Sequence, residues 1–208
     1  MDRYAGIIGR KKIMSLIPAF EIGIWNAWIL QTFFLLVTIV PDYLIGKEAK
    51  ESMKRMSQSV PLSKGYKILA YSTHVVIIPF VLIYSVFLPL ELGTVWLYIG
   101  VLVFILSVVI YIATIIAIAN TPADKPVTRG AYRFTRHPVY FSGFLMYLGL
   151  GIACASWIVI LCALLWIVFF IIVVPAEEDF LIKKYGDVYL KYRDITPRWI
   201  GLPKSQAK

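Results

Sequence analysis

The chain has 208 residues, of which 60% are hydrophobic, and its mean hydropathy of +0.77 excludes an ordinary soluble domain. Its formal net charge is +9, from 21 lysines and arginines against 12 acidic residues. The basic residues stand in short segments between apolar stretches. We therefore attribute the excess charge to attraction by anionic lipids, and we predict no nucleic-acid partner.

Four apolar stretches follow one another along the chain. A helix needs about 20 apolar residues to cross a bilayer core, so the first three stretches predict one span each, around Ile13–Val40, Ile68–Leu90 and Leu92–Ala119. The fourth stretch, Val139–Ala176, is long enough for two crossings with a turn near Ala155–Ser156. The sequence thus predicts an all-α integral membrane protein with about five transmembrane helices and a multi-pass location.

The distribution of basic residues predicts the orientation of these spans. Of the 21 lysines and arginines, 17 fall in three segments, 47–67, 125–136 and 183–208, whereas the turns near Pro89–Gly93 and Ala155–Ser156 have none. Lysine and arginine accumulate on the cytoplasmic side of membrane proteins. This rule predicts a polar cytoplasmic loop at Glu48–Lys64 and a cytoplasmic C-terminus. A five-span arrangement places the basic N-terminal tail on the other side.

The C-terminal part of the chain shows breaks between its helices. Pro122 and Pro126 oppose a continuous helix in Asn120–Arg129, and Pro138 suits the first turn of the next one. After Pro175, apolar residues recur with helical spacing at Leu181, Tyr185, Val188, Tyr189 and Tyr192, which predicts an amphipathic cytoplasmic helix under the membrane. We divide the chain into a three-span region, 1–120, and a C-terminal core, 121–208, with a loop, a helical hairpin and this last helix.

Two polar clusters flank the last hairpin. Tyr132, Arg136, His137 and Tyr140 precede it, and Glu177 and Glu178 follow it. Either cluster alone is typical of side chains that anchor a span at the membrane surface. A hairpin returns its two ends to the same side, however, so both clusters should lie close together. Carboxylates and tyrosine rings favour a cation, while arginine, histidine and a helix start favour an anion, which suits a zwitterionic ligand.

The stretch "GAYRFTRHPVYFSG", an apolar hairpin and then "PAEEDFLIKKYGDVYLKYRDITPR" resemble the isoprenylcysteine carboxyl methyltransferase family and its bacterial and archaeal relatives. The resemblance covers Asp124–Arg198. It implies an integral membrane methyltransferase that uses S-adenosylmethionine without a Rossmann domain and without a metal. Carried over by motif, the cofactor-binding residues are Asp124, Val127, Tyr132, His137, Pro138, Val139, Tyr140 and Glu177.

Two positions depart from the pattern of the family. Asp124 stands where the family often has histidine, and Val173 stands where relatives that methylate prenylcysteine tend to carry arginine near the reacting carboxylate. The second departure bears on the acceptor more than on the cofactor. Arg136 is the nearest cation that could replace the missing arginine, and we predict it as a catalytic residue.

The resemblance favours carboxyl O-methylation of a lipophilic, prenylcysteine-like acceptor within the bilayer. N-methylation of a phospholipid or another lipid is the alternative, and because an amine must lose a proton, Glu178 is then the predicted base. A membrane reductase with a nicotinamide cofactor and a non-enzymatic membrane protein are further alternatives. The charges gather at one surface instead of the mid-membrane, which argues against ion transport.

Overall fold

A computed structural model describes residues 20–44, 46, 50, 64, 65, 68, 73–122 and 124–203. These residues form helices, and within them the sole extended pairing is an isolated antiparallel bridge between Asn26 and Pro89. The elements in chain order are α1 (Trp28–Leu44), a π-helical turn (Thr73–Ile77) that leads into α2 (Ile78–Val86), α3 (Val95–Ala119), a 3-10 turn (Gly130–Arg133), α4 (Pro138–Ala153), α5 (Trp157–Tyr185) and α6 (Asp187–Ile195).

Helices α3, α4 and α5 each begin at a residue that is favoured at helix starts. The Thr94 hydroxyl accepts a hydrogen bond from the backbone N–H of Leu97 at the start of α3. The Ser156 hydroxyl accepts one from Val159 at the start of α5. Pro138 is the first residue of α4, where its missing N–H has no intrahelical partner to lose. The predicted helix start at Pro138 is therefore confirmed.

Two helices in the described part of the chain, α3 and α5, are long and apolar enough to cross a membrane. The apolar segments in and around α1, α2 and α4 are shorter. The all-helical fold is confirmed, whereas five crossings and a cytoplasmic C-terminus stay predictions. Residues 13–19 of the first predicted span and nearly all of the predicted loop 48–64 lie outside the described residues.

The turns and the basic segments lie at opposite ends of the helices. At one end, the Glu91 N–H donates to the carbonyl of Ala153 (3.1 Å), which joins the turn before α3 to the turn after α4. Ala155 has φ +47° in that second turn, at the predicted position. At the other end, the Arg136 guanidinium donates to the backbone carbonyl of Arg193 (3.2 Å). The described basic segments 125–136 and 183–198 thus share one end, as the sequence predicts.

Helix α4 packs closely against α3 on one side and α5 on the other. A side chain at Gly100 of α3 would overlap the backbone of Ala153, and a Cβ at Gly149 of α4 would lie 2.6 Å from the Phe104 amide nitrogen. Gly143 faces the Trp166 indole of α5. Small residues allow helix backbones to approach this closely. The packing fixes the position of the N-terminus of α4, where the polar clusters meet.

The predicted amphipathic helix after Pro175 is wrong in its extent. Helix α5 continues through Pro175 to Tyr185, and the chain then breaks at Gly186 (φ +56°) before the short helix α6. Because of this break, the predicted apolar residues before and after Gly186 do not form one continuous helix face. Tyr189 is buried, but Val188 is 59% exposed. A proline inside a membrane helix is tolerated, whereas a positive φ ends a helix, so glycine and not proline sets this boundary.

Candidate functional site

The hairpin of α4 and α5 places His137 between two adjacent carboxylates. Its Nε2 lies 3.2 Å from Glu178 Oε1, and its Nδ1 lies 3.6 Å from Glu177 Oε2. His137 is buried although it directly precedes α4. The two clusters that flank the hairpin therefore come together in space, about forty residues apart in the sequence.

Glu178 is the buried centre of an ion-pair network. Arg136 Nη2 lies 3.0 Å from its Oε1, and Arg198 donates from Nη2 to Oε2 at 2.7 Å. Only 3% of Glu178 is exposed. The hydrogen bonds to Glu178 raise the pKa of the Arg198 guanidinium. With two guanidiniums and an imidazole around it, the Glu178 carboxylate is occupied by protein groups.

Arg136 is held in place from two sides. Its Nη2 pairs with Glu178, and its Nη1 donates to the carbonyl of Arg193 in α6 (3.2 Å). The Arg136 side chain is only 7% exposed. Arg136 thus links the residues before α4 to α5 and α6, and its catalytic role stays a prediction.

Tyr132 and Val127 lie beside this network in a second apolar cluster, with Tyr189 and Tyr192 of α6. The Tyr192 hydroxyl donates to the backbone carbonyl of Tyr132 (2.7 Å) and fixes the 3-10 turn against α6. Burial raises the pKa of the Tyr132 phenol, which stays protonated at neutral pH. The cluster offers a flat aromatic and apolar surface within electrostatic range of Glu177.

The other predicted cofactor-binding residues have different surroundings. Pro138 is buried at the start of α4, Val139 is 38% exposed on the same turn, and Asp124 is exposed in the turn after α3. The Tyr140 ring lies 6.0 Å from the His137 ring and packs against Phe170 (4.6 Å between centroids). His137, Tyr140 and Glu177 therefore form the compact part of the predicted set, and Asp124 lies outside it.

An apolar cavity of about 290 Å³ opens beside His137 between α4 and α5. Its polar end is formed by His137, Tyr140 and Thr135, and the described residues that line it include no lysine or arginine. The remaining lining residues are Phe141, Phe144, Ile167, Phe170, Ile171 and Trp199. The shape and lining suit a hydrocarbon chain whose polar end reaches His137.

Sequence reasoning missed Arg198 and Trp199. Both belong to the C-terminal segment (residues 196–201), which follows α6 and returns to the start of α4. The Arg136 N–H donates to the Pro197 carbonyl (3.1 Å), and the Gly201 N–H donates to the Phe134 carbonyl (3.0 Å). The basic and aromatic pair directly after Pro197 was the available signal, but no spacing rule links it to a site sixty residues earlier.

Some buried polar atoms near the network have no hydrogen-bond partner within the described structure: Glu177 Oε2, Arg136 Nε and the Tyr189 hydroxyl. Buried polar groups are generally paired, and an unpaired one needs an explanation. A carboxylate oxygen, a guanidinium N–H and a phenol beside an aromatic cluster would fit a ligand that has both charged ends and an aromatic ring.

Residues 95–188, from the start of α3 to the start of α6, match the phospholipid methyltransferase family model. This family belongs to the same clan of membrane methyltransferases as the isoprenylcysteine carboxyl methyltransferases. The match, which covers a little less than half of the chain, indicates a membrane methyltransferase. The family resemblance predicted from the motifs is confirmed at this level, and a lipid-related activity is indicated. No curated protein matches the chain significantly.

Proposed function

We propose that the chain transfers a methyl group from S-adenosylmethionine to the amine of a lipid at the polar end of the cavity. The observation that carries this proposal is the pairing of both nearby guanidiniums, Arg136 and Arg198, with Glu178. A carboxylate acceptor would need a free cation, and the described lining of the cavity has no lysine or arginine. An amine instead suits the aromatic rings of Tyr140 and Phe170. The match to phospholipid methyltransferases supports the same acceptor.

The residues around His137 fit the predicted cofactor. Glu177 Oε2 is a buried acceptor for the cofactor's ammonium or hydroxyl groups, and Arg136 Nε is a buried donor for its carboxylate. The apolar cluster of Val127 and Tyr132 would hold its adenine ring. S-adenosylmethionine supplies an electrophilic methyl group on a sulfonium. Pro138, Val139 and Asp124 complete the predicted binding set.

The chain's own contribution to this reaction is orientation, exclusion of water and removal of a proton. A lipid ammonium must lose a proton before its nitrogen can attack the methyl carbon. Glu178 was the predicted base, but its ion pairs occupy both of its oxygens. Glu177 is better suited, because its side chain is 24% exposed although Oε2 is buried, so Oε1 would remain for the proton when Oε2 holds the cofactor. Glu177 would accept the proton and pass it to solvent.

The apolar cavity would hold the acyl chain of the acceptor. Phe141, Phe144 and Ile171 line it on the hairpin, and Ile171 is 54% exposed on the outer surface of α5. A lipid could therefore enter sideways from the bilayer with its head group towards His137. Holding the two reactants at a fixed separation replaces a bimolecular encounter and supplies much of the rate acceleration of a methyl transfer.

Carboxyl O-methylation of a prenylcysteine-like acceptor is the second candidate. It is favoured by the two guanidiniums near the polar end of the cavity, either of which would have to leave Glu178 to bind the acceptor. Val173, at the position where relatives carry arginine, is buried in the apolar core. A guanidinium is therefore not supplied from that position.

The test measures binding and transfer separately in detergent-purified protein. Calorimetric titration with S-adenosylhomocysteine and with NADPH distinguishes a methyltransferase from a reductase. Tritiated methyl transfer is then measured with phosphatidylethanolamine and with a farnesylcysteine analogue. We expect binding of S-adenosylhomocysteine alone and transfer to the amine. Exclusive transfer to the farnesylcysteine analogue would select the second candidate, and binding of NADPH alone would refute both.

A further inference from the structure

The C-terminal segment (residues 196–201) forms one wall of the acceptor cavity although it lies outside the residues that match the family model. Trp199 is the member of this segment that lines the cavity, and the Arg198 carbonyl directly before it accepts from the hydroxyl of Thr135 at the polar end. It is 44% exposed, so its indole lies between the cavity and the exterior. A large flat side chain in this position limits the space for an acceptor head group.

Four contacts hold Trp199 at the cavity. The carbonyl of Pro197 accepts from the Arg136 N–H, and the Gly201 N–H donates to Phe134, so both flanks of Trp199 are tied to the residues before α4. The carbonyl of Arg198 accepts from the Thr135 hydroxyl (3.2 Å). The Arg198 side chain reaches in the opposite direction to Glu178. The residue directly before Trp199 is thus fixed through both its backbone and its side chain.

We propose that Trp199 is a specificity-determining residue that limits the size of the acceptor head group, and that Arg198 is a positioning residue that holds Trp199 through its bond to Glu178. The proposal rests on the proposed function for the identity of the cavity's ligand. Removing the indole would enlarge the polar end of the cavity without touching Glu177 or His137. When a pocket wall excludes the larger of two ligands, their affinities differ by roughly tenfold to a hundredfold.

The experiment measures binding of two lipids to the full chain in detergent. One probe is phosphatidylethanolamine with a fluorescent acyl chain, and the other is the same lipid with a benzyl group on the amine. The ratio of their dissociation constants reports head-group selectivity without catalysis. Calorimetry with S-adenosylhomocysteine in the same samples reports the cofactor site.

We expect wild-type protein to prefer the unmodified lipid by about tenfold or more. Trp199→Ala should bring the ratio close to one, and Trp199→Phe should keep most of the preference. Arg198→Ala should also bring the ratio closer to one, and Arg198→Lys should keep part of the wild-type preference. Trp157→Ala is the matched control, because Trp157 is 45% exposed at the far end of α5.

The outcomes separate this proposal from the proposed function. An unchanged ratio in Trp199→Ala, or no binding of either lipid by the wild-type protein, overturns the role of Trp199. Loss of selectivity in Trp199→Ala together with full selectivity in Arg198→Ala overturns the positioning role of Arg198. Absence of S-adenosylhomocysteine binding together with the expected change in the lipid ratio refutes the methyl transfer and leaves the size limit in place. If Arg198→Ala does not fold, the Lys variant decides the role of Arg198: loss of selectivity in a folded Arg198→Lys overturns it.

Discussion

Glu177 and Glu178 are neighbours in the sequence with different surroundings. Successive residues of a helix point about a quarter turn or more apart, so the two carboxylates reach different nitrogens of His137, Glu178 at Nε2 and Glu177 at Nδ1. Glu178 is 3% exposed and paired with two arginines. Glu177 Oε2 has no hydrogen-bond partner in the described structure, and its contact to His137 Nδ1 is longer, at 3.6 Å. We infer a structural role for Glu178 and a ligand-binding role for Glu177.

Glu177→Gln should weaken binding of S-adenosylhomocysteine without lowering the stability of the fold. A charge-assisted hydrogen bond contributes about 1.5–3 kcal/mol, which corresponds to roughly tenfold to over a hundredfold in affinity. Calorimetry measures the affinity, and thermal unfolding in detergent checks the fold. Asp179→Asn is the control, because Asp179 is exposed and its substitution removes an equal charge two positions further along α5. Equal affinity in the wild type and in Glu177→Gln would contradict the assignment.

Glu178→Ala should have the reverse profile, with a loss of stability as its main effect. Removing one partner from a buried ion pair leaves an uncompensated charge, here Arg136, at a cost of about 3–5 kcal/mol. The measurement is the unfolding midpoint relative to wild type. Glu178→Gln keeps the shape and some hydrogen bonds, and it should lose less. A fully stable Glu178→Ala with abolished transfer would instead assign catalysis to this carboxylate.

At the scale of elements, the position of α4 determines the geometry of the site. Its N-terminus carries His137, and its two sides are fixed by close contacts to α3 and α5. The short helix α6 then packs Tyr192 against Tyr132 on the other side of the network. Gly186, with φ +56°, allows α6 to leave the axis of α5 and reach that position.

Gly100→Val should destabilise the protein strongly, because the added side chain overlaps the backbone of α4 at Ala153. Overpacking a close contact costs typically 1–3 kcal/mol and shifts the backbone. The displacement would also move the start of α4, so the affinity for S-adenosylhomocysteine should fall. Leu102→Val is the matched control, since Leu102 is 68% exposed on the same helix. Unfolding midpoints and cofactor titration compare the two variants, and similar values in both would disprove the close contact.

At the scale of the whole molecule, charge and packing divide the helices into two ends. The turns at Glu91 and Ala153 meet at one end, and the site with its arginines lies at the other. The large apolar surface of α3 and α5 between them suits a bilayer. This arrangement would bring a lipid acceptor from the membrane to a site that a polar cofactor reaches from water.

Single cysteines should label from opposite sides of a membrane at these two ends. Each variant would also carry Cys154→Ala and Cys162→Ala, so that the introduced cysteine alone can react. Both native cysteines are buried. Lys184→Cys and Arg129→Cys should react with an impermeant maleimide from the same side of the membrane. Leu92→Cys should react from the other side. Labelling of all three positions from one side would refute the spanning arrangement. In inside-out vesicles, the first two should become accessible if the basic end is cytoplasmic.

The sequence by itself determined the helical membrane class, the turn at Ala155–Ser156 and the helix start at Pro138. These features depend on composition, on the length of apolar stretches and on residues that act within one turn of the chain. The meeting of His137 with Glu177 and Glu178 followed as well, because a hairpin has one simple topology. The motifs also indicated the clan of membrane methyltransferases, which the family match confirmed.

Only the tertiary structure decided how the charges are shared. Arg136 reads in the sequence as a free cation and Glu178 as a free base, but Arg198 returns from the C-terminal segment and both arginines pair with Glu178. The course of the chain after Pro175 was likewise settled by a single backbone angle at Gly186. Contacts between residues far apart in the chain depend on packing directions that no local pattern contains. For this reason the wall formed by Trp199 could be found only in three dimensions.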